Sequence, residues 1–284
     1  MGKTSCARVK IIVLCLNKQE IRERNIVMQR ENLDSISAGA LKSVKEAETA
    51  PLRYFMRSVM GGGLLFIGVF LSIMTSALIQ DLNGGLGKVL GAFAFPVGLI
   101  LIIMFGAQLY TSTCLYQPMG VLTGKVKISQ GVKVMVLCFI GNMVGLAIFC
   151  ELLAGGGEQR EILIGYLHHL VEGRLAVAPM QTFLRAILCN FYICVSSFVA
   201  YRMTSETGKI TVIFFVIAGF VLSGTDHSIA NGAYFMLYQM LEPAVDGGIA
   251  MLQNVAIATI GNFLGGAVLV ALPVWYIGNE KVKR

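Results

Sequence analysis

Long runs without a single charged side chain divide this sequence, and they restrict its possible folds more than any other feature. The longest run covers Val89–Gly124, which is 36 residues without Asp, Glu, Lys or Arg. A helix needs about 20 predominantly apolar residues to cross the hydrocarbon core of a bilayer. Charged residues make up 14% of the whole chain, against about 25% in ordinary soluble domains. The sequence therefore predicts an all-α integral membrane protein.

Six runs are long enough to span a membrane, and two of them are interrupted. The predicted spans are Ser58–Gln80, Val89–Gly124, Val134–Leu153, Gln181–Tyr201, Ile210–Leu241 and Ile249–Gly278. The second and fifth are longer than one crossing requires. We expect the second to break near Gly106–Thr113 and the fifth near Gly224, where glycines and polar residues interrupt the apolar pattern. Residues 155–178 are predicted to be the longest loop.

The two halves of the chain contain a repeated motif. Gly-Asn-x-x-Gly occurs at residues 141–145 in the third span and again at residues 261–265 in the sixth, 120 residues later. The predicted interruptions at Gly106 and Gly224 are separated by nearly the same distance, 118 residues. Three spans per copy place the second copy upside down relative to the first. Such inverted 3+3 repeats form a binding site or pore between their broken helices, near the bilayer midplane.

The segments outside the spans give the remaining domain boundaries. Residues 1–28 are predicted to be an N-terminal extension, either disordered or the result of a start codon assigned upstream of Met28. Residues 29–57 alternate charged residues with alanine and are predicted to form an amphipathic cytoplasmic segment. Residues 58–279 form the predicted six-helix transmembrane domain, and residues 280–284 a basic cytoplasmic tail.

The distribution of basic residues predicts the orientation. Lys125, Lys127 and Lys133 follow the second span, and Arg202 and Lys209 follow the fourth. Cytoplasmic loops of membrane proteins carry an excess of Lys and Arg. We therefore expect a multi-pass protein of the cell membrane with both termini in the cytoplasm. The net charge of +7 is explained by these loops, and no nucleic-acid partner is predicted.

An acid and an imidazole stand side by side in the middle of the fifth run. Asp226 and His227 lie within Ser223–Asn231, inside a stretch otherwise free of charge from Ile210 to Leu241. Ionisable residues at that depth are costly, so they face a partner, a water-filled pathway or both. The pattern favours polar groups facing a pathway. The alternative is a buried Asp–His pair that only holds helices together.

Other classes of protein fit the sequence less well. It contains no H-E-x-x-H metal site, no G-x-S-x-G nucleophile elbow and no phosphate-binding loop, so we do not expect an enzyme or a bound cofactor. The seven cysteines form no C-x-x-C pair, and no metal site is predicted. His168 and His169 are interpreted as surface residues of the long loop. A purely structural scaffold would not require polar breaks in both halves.

At these segments the sequence resembles the formate/nitrite transporter family. The resemblance rests on Gly224–Asn231, Leu109–Thr113, Ile187–Asn190 and the two Gly-Asn-x-x-Gly segments, and it covers Leu33–Gly278. It implies an aquaporin-like protomer within a homopentamer, each protomer having its own pore in the bilayer. It also implies a channel or transporter for small monovalent anions, here formate or nitrite. The alternative within the family is a hydrosulfide or short-carboxylate (acetate or lactate) channel.

The resemblance also assigns roles to individual residues. Pore or substrate-binding roles fall on His227, Thr111, Asn231, Asp226, Asn190 and Arg174, and apolar constrictions on Leu99, Leu109, Tyr110 and Phe220. Three positions depart from the family pattern. Asp226 replaces glutamate, Tyr110 replaces phenylalanine, and Arg174 replaces a vestibule lysine.

These residues lead to a mechanistic expectation. A central histidine titrates near neutrality, so His227 would donate a hydrogen bond or a proton to the anion and link transport to protons. Arg174 would concentrate anions at the outer mouth. Thr111 would supply a further donor, although its alternative role is to satisfy backbone groups freed by the break.

Overall fold

The computed structural model describes residues 30–157 and 159–279. The predicted extension, residues 1–28, and the predicted basic tail, residues 280–284, lie outside the described residues. Within those ranges every regular element is a helix and none is a strand, which confirms the all-α prediction. The helices are α1 (30–49), α2 (Pro51–Ala94), α3 (Val97–Phe105), α4 (Tyr110–Leu122), α5 (Ile128–Gly156), α6 (Arg160–Leu175), α7 (Pro179–Arg202), α8 (Glu206–Leu222), α9 (Ser228–Leu241), α10 (Gly248–Gly266), a π-helical turn (Ala267–Ala271) and α11 (Leu272–Gly278).

The first helix, α1, has one buried apolar face. Ile36, Ala40 and Val44 are buried, and their spacing of four residues places them on one side of the helix. On the polar side, the Asp34 carboxylate pairs with Lys125 Nζ at 2.7 Å. The helix therefore packs on the rest of the chain through apolar contacts and is tied to the turn between α4 and α5.

The long helix α2 contains a kink that separates two predicted spans. Asn83 has non-helical dihedral angles (φ −163°, ψ 100°), and its side-chain oxygen accepts a hydrogen bond from the Leu86 N–H at 3.0 Å. This is the contact of a helix N-cap, so the chain ends one helix and starts another here. The predicted first span, Ser58–Gln80, lies before the kink.

Two further breaks separate α3 from α4 and α8 from α9. Each contains a glycine in the left-handed region, Gly106 and Gly224, both with φ +64°, which glycine adopts without steric cost. The first break is shorter than the predicted Gly106–Thr113 because α4 already begins at Tyr110. The Tyr110 N–H donates to Asn142 Oδ1 at 2.8 Å, which satisfies a backbone donor that the break would leave unpaired.

Four continuous helical segments of the described chain are long and apolar enough to cross a membrane. They are Pro51–Phe105, Ile128–Gly156, Pro179–Arg202 and Gly248–Gly278. The predicted fifth span is not among them because its break leaves α8 with 17 residues and α9 with 14. Each half is shorter than the roughly 20 residues of a full crossing.

The predicted long loop, residues 155–178, is mostly helical, so this part of the prediction is wrong. Helix α6 occupies 16 of its residues. Leu163, Leu167 and Val171 recur every four residues and are all buried, which gives the helix one apolar stripe. The charged and polar residues between them concealed this periodicity in the sequence.

The repeated Gly-Asn-x-x-Gly motif allows two pairs of helices to approach closely. A Cβ atom on Gly145 of α5 would lie 2.0 Å from the Val59 carbonyl oxygen of α2. A Cβ atom on Gly265 of α10 would lie 2.2 Å from the Ile187 carbonyl oxygen of α7. Backbone atoms cannot move aside as a flexible side chain can, so both positions require glycine. The same packing solution therefore occurs in each half of the chain.

We expect Gly265→Ala to lower the free energy of unfolding by about 1–3 kcal/mol, as overpacking does in a close-packed interior. The matched control is Gly219→Ala in α8, where an added Cβ would meet no atom within 4 Å. Alanine favours a helix, so the control should raise that free energy by up to about 1 kcal/mol. Thermal unfolding of the purified variants measures both effects. Equal midpoints for the two variants would contradict the close approach of α10 and α7.

Candidate pore site

His227 is the last residue of the break before α9, and it caps that helix. Its Nδ1 atom accepts a hydrogen bond from the Ala230 N–H at 2.9 Å, and the residue is 2% exposed. An imidazole nitrogen that accepts carries no proton, so the neutral ring holds its proton on Nε2. The local structure of the helix start therefore sets the tautomer and points the Nε2–H group away from α9.

Thr111 lies opposite this histidine, in the first turn of α4. Its Oγ1 atom is 3.0 Å from His227 Nε2, and the residue is fully buried. With Nε2 as donor, Thr111 Oγ1 accepts, and the threonine hydroxyl proton is left to donate elsewhere. Thr113, two residues on, instead donates its hydroxyl to the Tyr110 carbonyl at 2.6 Å. The Thr113 hydroxyl is thus engaged within its own helix and takes no part in the contact with His227.

Two asparagines that the sequence analysis did not assign to the site hold the breaks in place. Asn142 Nδ2 donates to the carbonyls of Gln108 and Ser58 at 2.8 and 2.7 Å, while its Oδ1 accepts from Tyr110 N–H. These contacts bracket Leu109, which occupies the first break. Asn142 thus ties that break to α2.

Asn262 makes the equivalent set of bonds in the second half. Its Nδ2 donates to the carbonyls of Asp226 and Ala186 at 3.0 and 2.8 Å, and its Oδ1 accepts from the Ser228 N–H at 2.9 Å. These contacts bracket His227. The repeated Gly-Asn-x-x-Gly motif was the signal that could have identified both asparagines.

Asp226 is held by a charged and an uncharged partner. Its Oδ1 accepts from Arg174 Nη1 at 2.6 Å and from Asn231 Nδ2 at 2.9 Å. The Arg174 guanidinium also lies 5.2 Å from the centre of the Tyr234 ring, and Asn231 Nδ2 donates to Asn254 Oδ1 at 2.8 Å. The side chain of Arg174 is 21% exposed and that of Asp226 3%. The arginine predicted to attract anions is therefore paired with an adjacent carboxylate, which offsets its charge.

Asn190 on α7 contacts both halves of the site. Its Nδ2 donates to the carbonyls of Asn262 and Thr111 at 2.6 and 3.2 Å. Its Oδ1 and the Oδ1 of Asn231 are buried and have no hydrogen-bond partner among the described residues. Both acceptor oxygens therefore belong to residues that bond directly to the site, since Asn190 donates to Thr111 and Asn231 donates to Asp226.

The predicted constriction residues lie in the buried interior. The four predicted constriction residues are all buried, with exposures of 2% for Leu99, 2% for Leu109, 6% for Tyr110 and 4% for Phe220. The Phe220 ring centre lies 6.0 Å from that of His227 and 5.3 Å from that of Phe95, a residue that the sequence analysis overlooked. The apolar Phe220 ring therefore lies beside the buried Thr111–His227 pair.

The hydroxyl group that distinguishes Tyr110 from the family's phenylalanine is satisfied by the backbone. It donates to the Thr259 carbonyl at 3.2 Å, and the ring packs edge-on against Phe139 at 5.3 Å. The hydroxyl is thus held against α10, and the ring remains as the apolar surface.

A cavity of about 370 Å³ adjoins the first break. Leu109, Ser112, Arg57 and Lys209 are among its lining residues. Arg57 Nη1 pairs with Glu46 at 2.5 Å, and its guanidinium also donates to the Gly106 carbonyl. The cavity thus reaches Leu109 from the side of α1 and is lined in part by basic residues. Sequence reasoning missed it because α1 and α8 are distant in the chain.

Both histidines of the predicted long loop lie on α6. His168 Nδ1 is 2.7 Å from the Tyr238 hydroxyl of α9, and its Nε2 is 3.3 Å from Glu172 Oε1. The His168 and His169 rings meet edge to face at 5.6 Å. The contact between His168 and Tyr238 joins α6 to α9, and it does not involve His227.

The family model described as "Formate/nitrite transporter" matches residues 33–276. The chain belongs to the formate/nitrite transporter family. The resemblance inferred from the histidine segment and the repeated motif is thereby confirmed, as is the prediction of a transmembrane transporter or channel.

Curated members of the formate/nitrite transporter family are similar over most of their length. A probable formate transporter of Methanothermobacter thermautotrophicus is 29% identical over 260 residues, which is 84% of this chain and 94% of that protein. The nitrite transporter NirC of Escherichia coli strain K12 is 28% identical over 253 residues, which is 88% of this chain and 92% of that protein. These relatives are transporters rather than enzymes, which supports the non-enzymatic interpretation.

Solved structures share the fold. An FNT family ion channel superposes with a TM-score of 0.79 at 23% sequence identity, covering 87% of this chain and 98% of the other. A pentameric formate channel with formate bound superposes with a TM-score of 0.70 at 23% identity, covering 82% and 100%. At this identity the comparison establishes that the chain has the fold of formate/nitrite transporter channels.

Proposed function

We propose that this protein is a channel or secondary transporter for a small monovalent anion of a weak acid, formate or nitrite. The observation that carries the proposal is the buried Thr111–His227 hydrogen bond, which joins the starts of α4 and α9 beside the Phe220 ring. The relatives named as formate and nitrite transporters support these two substrates. A hydrosulfide or short-carboxylate substrate is the second candidate, because the same buried donors fit any small monovalent anion.

The topology that goes with this function is six spans in two inverted copies, with both termini in the cytoplasm. The matching bonds of Asn142 and Asn262 support the repeat, since each brackets the residue at the centre of its own break. The basic residues between α4 and α5 support the orientation. A homopentamer in the cell membrane is proposed by analogy with the pentameric formate channel of the same fold.

The anion is stabilised in the apolar region by groups that are already in place. Desolvating a charge costs several kcal/mol or more. The helices α4 and α9 both begin at the site, at Tyr110 and Ser228, and the N-terminal end of a helix favours negative charge. The His227 Nε2–H group donates to the Thr111 hydroxyl oxygen. The Thr111 hydroxyl therefore directs its own proton to the anion.

Proton linkage follows from the same hydrogen bonds. The Nδ1 atom of His227 is engaged as the cap of α9, so the ring acts as a donor through Nε2–H. In the apolar region the neutral acid costs less to desolvate than the anion. An anion that takes a proton from water at the edge of this region therefore crosses as the neutral acid. The free acceptor oxygens of Asn190 and Asn231 are suited to receive the acid O–H group.

Flux into proteoliposomes tests the proposal. Formate, nitrite and hydrosulfide are compared in parallel, with the internal pH recorded by an enclosed dye. We expect flux of formate or nitrite together with matching acidification of the interior, and a decrease of both in His227→Asn, because the Nε2–H group that orients the Thr111 hydroxyl is lost. Flux without acidification would leave an anion channel without proton linkage. Absence of flux for all three anions, in folded protein, would contradict the proposed substrates.

A further inference from the structure

A groove of about 340 Å³ opens between α4, α5 and the end of α10, away from the pore site. Its rim carries exposed apolar side chains, with Ile128 70% and Val132 54% exposed. Among the described residues that line the groove, Gln117 alone is polar. A lateral groove of this composition fits a hydrocarbon chain.

Gln117, the polar residue of this lining, is unusual because its amide is buried without a partner. It is 1% exposed, and neither its Nε2 nor its Oε1 has a hydrogen-bond partner in the described part of the chain. A Cβ atom on Gly131, which also lines the groove, would lie 3.7 Å from Gln117 Oε1. On that side the Gln117 amide is separated from the groove only by Gly131, which has no side chain. A buried amide without a partner is costly, so this one requires a polar group from outside the protein chain.

The second half of the chain contains a matching groove whose amide, Gln239, stands at a different position and donates through Nε2 to the Pro243 and Val245 carbonyls. This groove has a volume of about 300 Å³ and lies between α9, α10 and α5. Phe235 and Met251 line it, and they stand 118 and 120 residues after Gln117 and Gly131, the offsets of the internal repeat. In the proposed inverted topology the two grooves open to opposite leaflets. A bilayer presents hydrocarbon to both grooves, so one kind of occupant, the acyl chain, fits both. A neighbouring copy of the chain would present a different surface to each groove.

The end of the first groove is basic. Leu122 and Ile128, which line it, flank the turn that holds Lys127, and Lys127 makes no ion pair with any described residue. Gln117 lies five residues before the end of α4 at Leu122, or about 8 Å along the helix axis. That depth is comparable to the interfacial layer of a bilayer, about 5–8 Å, where lipid ester groups lie below their phosphates.

We infer that this groove is a binding site for one anionic phospholipid of the cytoplasmic leaflet. An acyl chain lies along the apolar walls, an ester carbonyl accepts a hydrogen bond from Gln117 Nε2, and the phosphate lies beside Lys127, where basic residues attract anionic lipid. The inference rests on the proposed orientation of the chain and is independent of its transport activity. In the matching groove the Gln239 Nε2 donor is already engaged by the Pro243 and Val245 carbonyls, so that groove holds acyl chains without a free amide donor.

The single tryptophan of the chain provides the measurement. Trp275 lies in α11, three residues after Leu272 of the groove lining. The full-length protein is reconstituted in phosphatidylcholine vesicles with rising fractions of brominated phosphatidylglycerol or brominated phosphatidylcholine, which quench nearby tryptophan fluorescence. We expect the native protein to prefer the anionic lipid by about fivefold, the effect of one lysine beside a headgroup of net negative charge, because both lipids carry the same ester carbonyls.

Lys127→Gln is expected to abolish that preference, whereas two variants of the groove itself are expected to lower quenching by both lipids alike. Gln117→Leu removes the amide and should fold, because it replaces a buried polar group without partners by an apolar one. Gly131→Met copies the matching groove and fills the space above residue 117. The control is Met251→Leu in the matching groove, a volume-conserving exchange that should leave both the quenching and the preference unchanged.

Three outcomes would overturn the inference. They are equal quenching by both lipids in the native protein, a preference that survives Lys127→Gln, and unchanged quenching in Gln117→Leu, which together with a change of oligomer size would assign the groove to a second copy of the chain. Anion flux measured in the same vesicles separates this inference from the proposed function. A loss of lipid preference with normal flux concerns the groove alone, and normal lipid preference without flux concerns the pore alone.

Discussion

Replacing Thr111 with valine is expected to slow formate or nitrite flux by between about tenfold and a hundredfold, the effect of losing one hydrogen bond to a charged group. Valine keeps the shape of threonine but has no hydroxyl, so His227 Nε2–H loses the acceptor at 3.0 Å and the anion loses a donor. Both residues are buried, so water cannot replace the bond without entering the apolar region. Initial rates of uptake into proteoliposomes, at equal amounts of reconstituted protein, measure the effect.

The matched control is Thr113→Val, two residues away on the same helix. The Thr113 hydroxyl donates to the Tyr110 carbonyl of its own helix at 2.6 Å and makes no recorded contact with His227, so flux should remain within about twofold of the native rate. Thr111→Ser should restore most of the rate because it restores the hydroxyl. Native flux in Thr111→Val would show that the Thr111–His227 bond has no part in transport.

The long apolar helices could be predicted from sequence because lipid imposes a simple rule. Each crossing needs about 20 apolar residues, and ionisable groups such as Asp226 and His227 stand out against that background. The lipid rule does not predict helix α6. Its buried residues, Leu163, Leu167 and Val171, pack against the protein, and the polar residues between them resemble a loop.

The individual site residues could be predicted in part, but their partners could not. Thr111 and His227 are 116 residues apart, and Asn262 reaches Asp226 and Ala186 across 36 and 76 residues. Sequence patterns report neighbours along one helix, whereas these bonds depend on how helices pack. The pairing of Arg174 with Asp226 belongs to the same class, and it gives that arginine a structural contact that the sequence did not predict.

We expect Arg174→Met to lower the free energy of unfolding by about 3–5 kcal/mol, the cost of leaving a buried charge without its partner. The Asp226 carboxylate would keep one recorded donor, Asn231 Nδ2 at 2.9 Å, in a position where its side chain is 3% exposed. The loss would also release α6 from the break between α8 and α9. Thermal unfolding of the purified protein measures the change, and flux should fall with it because Asp226 adjoins His227.

Adding Asp226→Asn to Arg174→Met separates a structural role of the arginine from an attractive one. Asparagine keeps the acceptor for Asn231 but carries no charge, so the double variant should recover most of the lost stability. An arginine that served mainly to concentrate anions would behave differently. Arg174→Met would then unfold at the native midpoint, and its flux deficit would shrink as salt screens the attraction in the native protein. If the second substitution reverses the stability loss at any ionic strength, the Arg174–Asp226 pair holds Asp226 and His227 in position at the second break.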